Sequence, residues 1–247
     1  MTRSDMSDGE LAETLARAAG ALLLDLRTSS GMAGRELGDA GDAAANELLV
    51  TALRKARPND GLLSEESKDT KDRLSQKRVW IIDPVDGTRE YGEGRDDWAV
   101  HVGLSVDGKA AIGAVALPAL EMTLSSERPD ISPRRADTLR MVVSRSRPAK
   151  EAVAVSKKLD AELIPMGSAG AKAMAIVRGE ADVYLHSGGQ YEWDNCAPVA
   201  VAQAHGLHCS RIDGGPLAYN CRNPYLPDLL ICHKQDAETI LALVGSS

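Results

Sequence analysis

Five acidic residues in three short stretches have the types and spacing to do chemistry. Asp83 and Asp86 stand in VWIIDPVDGTRE, directly after the apolar run Val79 to Ile82, divided by Pro84 and closed by Gly87. Glu65 and Glu66 follow the apolar pair of GLLSEE in the same way, and Asp194 lies in QYEWDNCAPVAVAQAHG. Loops at the carboxyl ends of strands collect ligands. If neighbouring strands end together the carboxylates converge, and like charges that close cannot all stay ionised without a cation. A hard divalent ion with oxygen ligands relieves the repulsion, and without ligand-spaced His or Cys the set favours Mg²⁺ over zinc. Thr88, directly after Gly87, adds a hydroxyl. Taken singly each stretch has a plainer reading: D-P-x-D-G as a turn, Asp194 as an acid complementing a helix dipole.

Two helices and a set of strands must position these groups. Ser7 with Glu10 spells a capping box, and Leu11, Leu15, Ala18, Leu22 and Leu26 share a helical face behind it. A second helix is expected from about Asp42, with Leu48, Leu49, Ala52, Leu53 and Ala56 periodic, ending before Pro58. GLLSEE and RVWIID read as strands, and DDWAVHVGLSVDGKAAIGAVALP as a hairpin turning at Asp107-Gly108. The polar stretch SSERPDISPRRADT suggests a boundary, dividing an α+β unit, 1–132, that carries most of the acids from an α/β unit, 133–247. Beyond it strands and helices alternate, so the fold class is α/β with an α+β N-terminal half. Asp194 is expected just before a helix, with Pro198 in that helix's first turn.

Composition narrows the function. The 247 residues are 43% hydrophobic and 26% charged, with a net charge of −7 and no long basic run, which argues against a nucleic-acid partner. Phe is absent and aromatics make up 3%, too few for a base-stacking surface. The cysteines Cys196, Cys209, Cys221 and Cys232 form no C-x-x-C pair and are expected as reduced thiols. The acidic, polar start and the lack of an apolar run of about 18 residues predict a soluble, cytoplasmic chain with no membrane partner.

LLSEES, WIIDPVDGT and EWDNCAP together resemble the signature set of the inositol monophosphatase superfamily of Mg²⁺-dependent, lithium-sensitive phosphatases, in the right order along nearly the whole chain. GRDDWAVH, GSAGAKAM, GGQYEWD and YLPDLL resemble its CysQ branch, which acts on 3′-phosphoadenosine 5′-phosphate. The resemblance implies a layered αβαβα sandwich, two or three Mg²⁺ per site and, often, a homodimer. It implies that Glu65, Asp83 and the Val85 carbonyl hold one metal, that Asp83, Asp86 and Asp194 hold a second, and that a third shares Glu65. Thr88, paired with Asp42, would orient the attacking water; Asp39 is the alternative partner. Gly87 and Thr88 amides would face the phosphate, beside Asp86 and Asp194. Ser168 and Lys172, at the start of a helix, would face a second phosphate or the ribose, although a helix lysine in solvent is an equally ordinary reading. His186 stands where some relatives carry Arg. Pro198 stands where the family often has Gly, which weakens an inositol assignment. Of the remaining histidines, His101, His205, His208 and His233, none is singled out for a direct role, and Trp98 and Trp193 are read as packing residues.

The implied reaction is hydrolysis of the 3′-phosphate of adenosine 3′,5′-bisphosphate, and of its sulfated form, within sulfate assimilation. The alternatives are inositol-1-phosphate or fructose-1,6-bisphosphate as substrate, or a catalytically silent domain that senses Mg²⁺ or a nucleotide.

Overall fold

The computed structural model describes residues 6–245. Helices α1 (Asp8–Ser29) and α2 (Gly34–Ala56) precede a sheet of β1 (Gly61–Ser64), β2 (Arg78–Asp86), β3 (Ala99–Val106), β4 (Lys109–Leu117) and β5 (Met122–Ser125), interrupted by the short helix α3 (Thr88–Gly92) and by 3-10 turns at Asp72–Ser75 and Pro118–Leu120. These strands lie in sequence order, β1 parallel to β2 and the others antiparallel. A second sheet, order β7-β6-β8-β10-β9, is made of β6 (Arg140–Ser144), β7 (Glu162–Met166), β8 (Val183–Tyr191), β9 (His208–Ser210) and β10 (Tyr225–Cys232). Helices α4 (Lys150–Leu159), α5 (Ala169–Val177), α6 (Glu192–Ala204) and α7 (Ala237–Gly245) complete the chain.

The apolar clusters define the layers. Leu11, Leu15 and Leu23 of α1 and Leu37, Leu49 and Leu53 of α2 pack on Trp80, Ile82, Val100 and Val102 of the first sheet. On the other side of that sheet Val115 and Leu117 meet Met174 and Ile176 of α5 and Val199 and Val201 of α6, which in turn meet Tyr184, Leu229 and Ile231 of the second sheet. Ala152 and Val155 of α4 and Ile240 of α7 cover the outer face of that sheet with Met141, Val183 and Leu230. The result is the expected order helix, sheet, helix, sheet, helix. Each sheet is buried on both faces, so β3 is buried almost throughout although its Val and Leu residues alternate with His101, Gly103 and Ser105. Among the described residues no helix is long and apolar enough to cross a membrane, and the four cysteines are free thiols.

Three local expectations need correction. The capping box of Ser7 and Glu10 is present, but the buried face of α1 runs through Ala12, Ala16, Ala19 and Leu23, leaving Leu22 and Leu26 half-buried and Ala18 exposed. The second helix begins at Gly34, well before Asp42. Its Gly- and Asp-rich first turns have weak intrinsic propensity, and burial of Leu37 carries them. Finally, α6 starts at Glu192, so Asp194 lies inside its first turn and Pro198 inside the helix. Pro198 removes the amide that would bond the Asp194 carbonyl. Tertiary packing holds the helix through this defect: α6 lies so close to β4 that a Cβ on Gly113 would come within 2.4 Å of the Ala197 carbonyl oxygen.

Candidate active site

The acids sit where the strands of the first sheet run out. Asp83 and Asp86, being an odd number of residues apart, would point to opposite faces of a regular strand. The register between β2 and β3 shifts there: Asp83 faces His101, while Asp86 faces Ala99. One extra residue has been inserted at Pro84-Val85, a bulge that restores the parity, and Pro84 fits it because no ladder donor is needed there. Gly87 then turns the chain at φ 89°, a left-handed conformation that favours glycine, and α3 begins at Thr88.

Asp194 comes from the other half of the chain. Its carboxylate accepts the Tyr191 amide at 2.5 Å, so it serves as the first-turn acid of α6. The same turn is anchored by buried Glu192, which accepts the amides of Asn220 and Cys221, each at 2.7 Å. Asp83, Asp86 and Asp194 each bring an oxygen within 4.8 Å of the others. Glu65 stands outside that trio at the exit of β1, its amide donating to the Ile82 carbonyl at 3.3 Å. Its loop is tied to α2 through Asn46, which accepts the Ser64 hydroxyl at 2.7 Å and donates to Ser67 at 3.1 Å. The Thr88 hydroxyl is 3.0 Å from the Val85 carbonyl and 3.5 Å from Asp42 on α2. Asp39 instead faces solvent and pairs with Arg35.

Electrostatics marks the cluster as a place for a cation. Burial, reinforced by Glu65, Asp86 and Asp194, lifts the Asp83 carboxyl well above the usual range. Burial and the neighbouring acids push Asp194 up to about 6, Asp42 to about 7 and Glu65 to about 8. Asp86 differs: burial would raise it, but His101, the Ser168 hydroxyl and the Gly170 amide overcome that and hold it at about 2. One oxygen of Asp83 is buried with no hydrogen-bond partner. A buried, unpartnered carboxylate oxygen among other carboxylates fits a bound divalent ion and is costly without one.

Of the residues expected to face substrate, Asp86, Gly87, Ser168, Lys172, His186 and Asp194 line a cleft of about 570 Å³ together with Arg147, whereas Thr88 does not line it. Ser168 caps α5, accepting the Ala171 amide at 2.9 Å and donating to Asp86. The anion at the start of α5 is thus the protein's own Asp86. Lys172 is not a solvated helix lysine: it is buried, donates to the Gly167 and Ser168 carbonyls, and lies 5.3 Å from the centre of the Tyr184 ring. Burial lowers its ammonium to about 8. His186 is half-buried with Nε2 3.3 Å from the Gly189 carbonyl, and burial holds it below the usual imidazole value. Trp98 packs edge-on to Tyr91, and Trp193 stacks on Tyr191.

Two residues escaped sequence reasoning. Arg147 lines the cleft with no ion pair among the described residues. His101 is fully buried with Nε2 3.2 Å from Asp86. Burial opposes its charge, but the Asp86 carboxylate outweighs that and raises it. Nothing in the spacing pointed to Arg147; for His101 the signal was a titratable residue in the apolar run WAVHVGL.

Two sheets interleaved with helices, with a trio of acids at their junction and a cleft beside it, together with relatives named as a phosphatase and a nucleotidase, define the class: a metal-dependent phosphoric monoester hydrolase. The chain belongs to the inositol monophosphatase family, whose model it matches over residues 8–247. It is 47% identical to the 3′-phosphoadenosine 5′-phosphate phosphatase of Mycobacterium leprae (98% of this chain, 95% of that one). It is 29% identical to the 3′(2′),5′-bisphosphate nucleotidase CysQ of Escherichia coli K12 (76% and 81%). Its fold is shared with CysQ from Bacteroides thetaiotaomicron (TM-score 0.79, 24% identity, 93% and 98% covered). It is also shared with inositol monophosphatase from Anabaena (TM-score 0.77, 19% identity, 96% and 94% covered).

Proposed function

We propose that the chain hydrolyses the 3′-phosphate of adenosine 3′,5′-bisphosphate, and of the 5′-phosphosulfate form, releasing inorganic phosphate and AMP or adenosine 5′-phosphosulfate. One observation supports this over a monophosphate substrate: Asp86 and Asp194 of the carboxylate cluster line the same cleft as Lys172 and the unpaired Arg147. A substrate with two anionic groups fits such a site, one group at a cation between the acids and one at the basic side chains. The names of the mycobacterial and enterobacterial relatives point the same way.

In this reading Glu65, Asp83 and the Val85 carbonyl would hold one Mg²⁺, Asp83, Asp86 and Asp194 would hold another, and Glu65 would share in a third. When bound, such ions neutralise phosphoryl oxygens, acidify a water and stabilise the departing alkoxide. Thr88 orients the attacking water, and Asp42, whose carboxyl is raised to about 7, accepts its proton through the Thr88 hydroxyl. The amides of Gly87 and Thr88 face the phosphate, and Ser168, Lys172 and His186 border the nucleotide. Ser168 acts there mainly by fixing Asp86. The proposal includes a cytoplasmic location, a homodimer, and a division of the site between 1–132 and 133–247. The test is phosphate release with Mg²⁺ from adenosine 3′,5′-bisphosphate, inositol-1-phosphate and fructose-1,6-bisphosphate, with and without millimolar lithium. Preference for the nucleotide and inhibition by lithium support the reading; preference for either sugar phosphate rejects the substrate, and no turnover on any of them leaves the sensing alternative.

A further inference from the structure

His101 occupies a place that the chemistry above does not use. It stands on β3, opposite Asp83 in the ladder, and is completely buried. Each ring nitrogen faces an acceptor from a different segment: Nδ1 is 3.0 Å from the Trp193 carbonyl in the first turn of α6, and Nε2 is 3.2 Å from Asp86 Oδ2 at the end of β2. The chain makes room for the ring on purpose, since a Cβ on Gly170 would come within 2.0 Å of Nε2. Around the same Asp86 carboxylate gather the Ser168 hydroxyl and the amides of Ala169 and Gly170, all from the start of α5. One imidazole therefore touches, directly or through Asp86, the ends of β2, α5 and α6.

We propose that His101 is a positioning residue that sets the spacing of the cation-binding carboxylates. Asp86 and Asp194 belong to different sheets' worth of chain, and neither is covalently constrained to the other. Trp193, whose carbonyl the ring holds, is the immediate neighbour of Asp194. With Nε2 paired against the Asp86 carboxylate and Nδ1 hydrogen-bonded at the Trp193 carbonyl, His101 fixes the distance across which a cation must be gripped. Groups that orient a ligand in this way commonly matter to metal affinity by about 10- to 100-fold. The inference rests on the carboxylate cluster being the metal site.

The experiment uses three full-length variants, His101→Val, His101→Asn and His101→Gln. Glutamine can place an amide near the position of Nε2 and asparagine near that of Nδ1. Mg²⁺ binding to chelator-treated protein is measured by calorimetry, beside turnover as a function of Mg²⁺. The expected result is Mg²⁺ affinity weakened at least about tenfold in His101→Val, recovered in part by His101→Gln, with the half-saturating Mg²⁺ moving more than kcat at saturation. Should His101→Val fail to fold, His101→Asn binding Mg²⁺ more weakly than His101→Gln supports the role by itself. Unchanged affinity in His101→Val, equal affinity in the Asn and Gln variants, or a fall in kcat with no shift in Mg²⁺ dependence overturns it. If the unaltered protein binds no Mg²⁺, the metal-site reading fails instead.

Discussion

The Thr88 hydroxyl lies 3.5 Å from Asp42 Oδ1, joining the first residue of α3 to the middle of α2. Asp42, not Asp39, is therefore the acid beside Thr88, and in the proposed mechanism it receives the proton. Replacing Thr88 by Val keeps the shape and removes the hydroxyl, and Asp42→Asn removes the base. Each should lower kcat by about 100-fold or more, the usual worth of a positioned proton acceptor, with Mg²⁺ affinity measured by calorimetry nearly unchanged. The double variant should be little worse than either single one, because the two act as a unit.

Asp83→Asn should abolish turnover and weaken Mg²⁺ binding while leaving the fold intact. Because the Asp83 carboxyl is crowded by Glu65, Asp86 and Asp194, the chelator-treated variant should unfold at a higher temperature than the chelator-treated parent at about pH 8. Near-normal turnover would remove Asp83 from the metal site.

The raised acids also set a pH dependence. A carboxyl whose folded value exceeds its unfolded value of about 4 binds more protons in the folded state, so its contribution to stability falls as pH rises through the folded value. With Asp42 at about 7, Glu65 at about 8 and Asp83 also raised, chelator-treated protein should lose stability between about pH 6.5 and 8. Asp86 acts in the opposite sense, losing its contribution only as pH falls from about 4 toward 2. Excess Mg²⁺ should flatten the slope in the higher window. Thermal melts at the two ends, with and without Mg²⁺, check this, and a chelator-treated slope that is flat or upward contradicts it.

Arg147 lines the cleft, is exposed and has no ion pair among the described residues, so Arg147→Ala should leave stability within about 0.5 kcal/mol. KM for adenosine 3′,5′-bisphosphate should rise several-fold, and KM for adenosine 3′-monophosphate should not. Lys172→Ala should show the same preference but also cost stability, since it strips the Gly167 and Ser168 carbonyls of their donor. Steady-state kinetics on both nucleotides separates the two effects.

Gly113→Val should destabilise the protein by about 1–3 kcal/mol or more, as overpacking does, because even a Cβ there meets the Ala197 carbonyl at 2.4 Å. The displaced helix carries Asp194, so Mg²⁺ affinity should fall with it. Urea denaturation reports the first effect and calorimetry the second.

Much of this architecture was legible in the chain. The Ser7 capping box, the Asp107-Gly108 hairpin, the helix Lys150–Leu159 and the strands carrying Asp83 and preceding Glu65 all follow from local periodicity and turn chemistry, which act over a few residues. So did the candidacy of Asp83, Asp86 and Asp194, because acids at a strand exit and an aspartate near a helix start are patterns of residue type and spacing. What no local pattern could decide was geometry that depends on partners far along the chain. The bulge that turns Asp83 and Asp86 to one side exists only in the pairing of β2 with β3. The early start of α2 and the passage of α6 through Pro198 are sustained by packing that overrides weak propensity. Lys172 stood open between a substrate contact and a solvated helix lysine, and His101 was not singled out, until the fold buried one near Tyr184 and the other beside Asp86. Burial and convergence are long-range properties, and they convert separate carboxylates into one site.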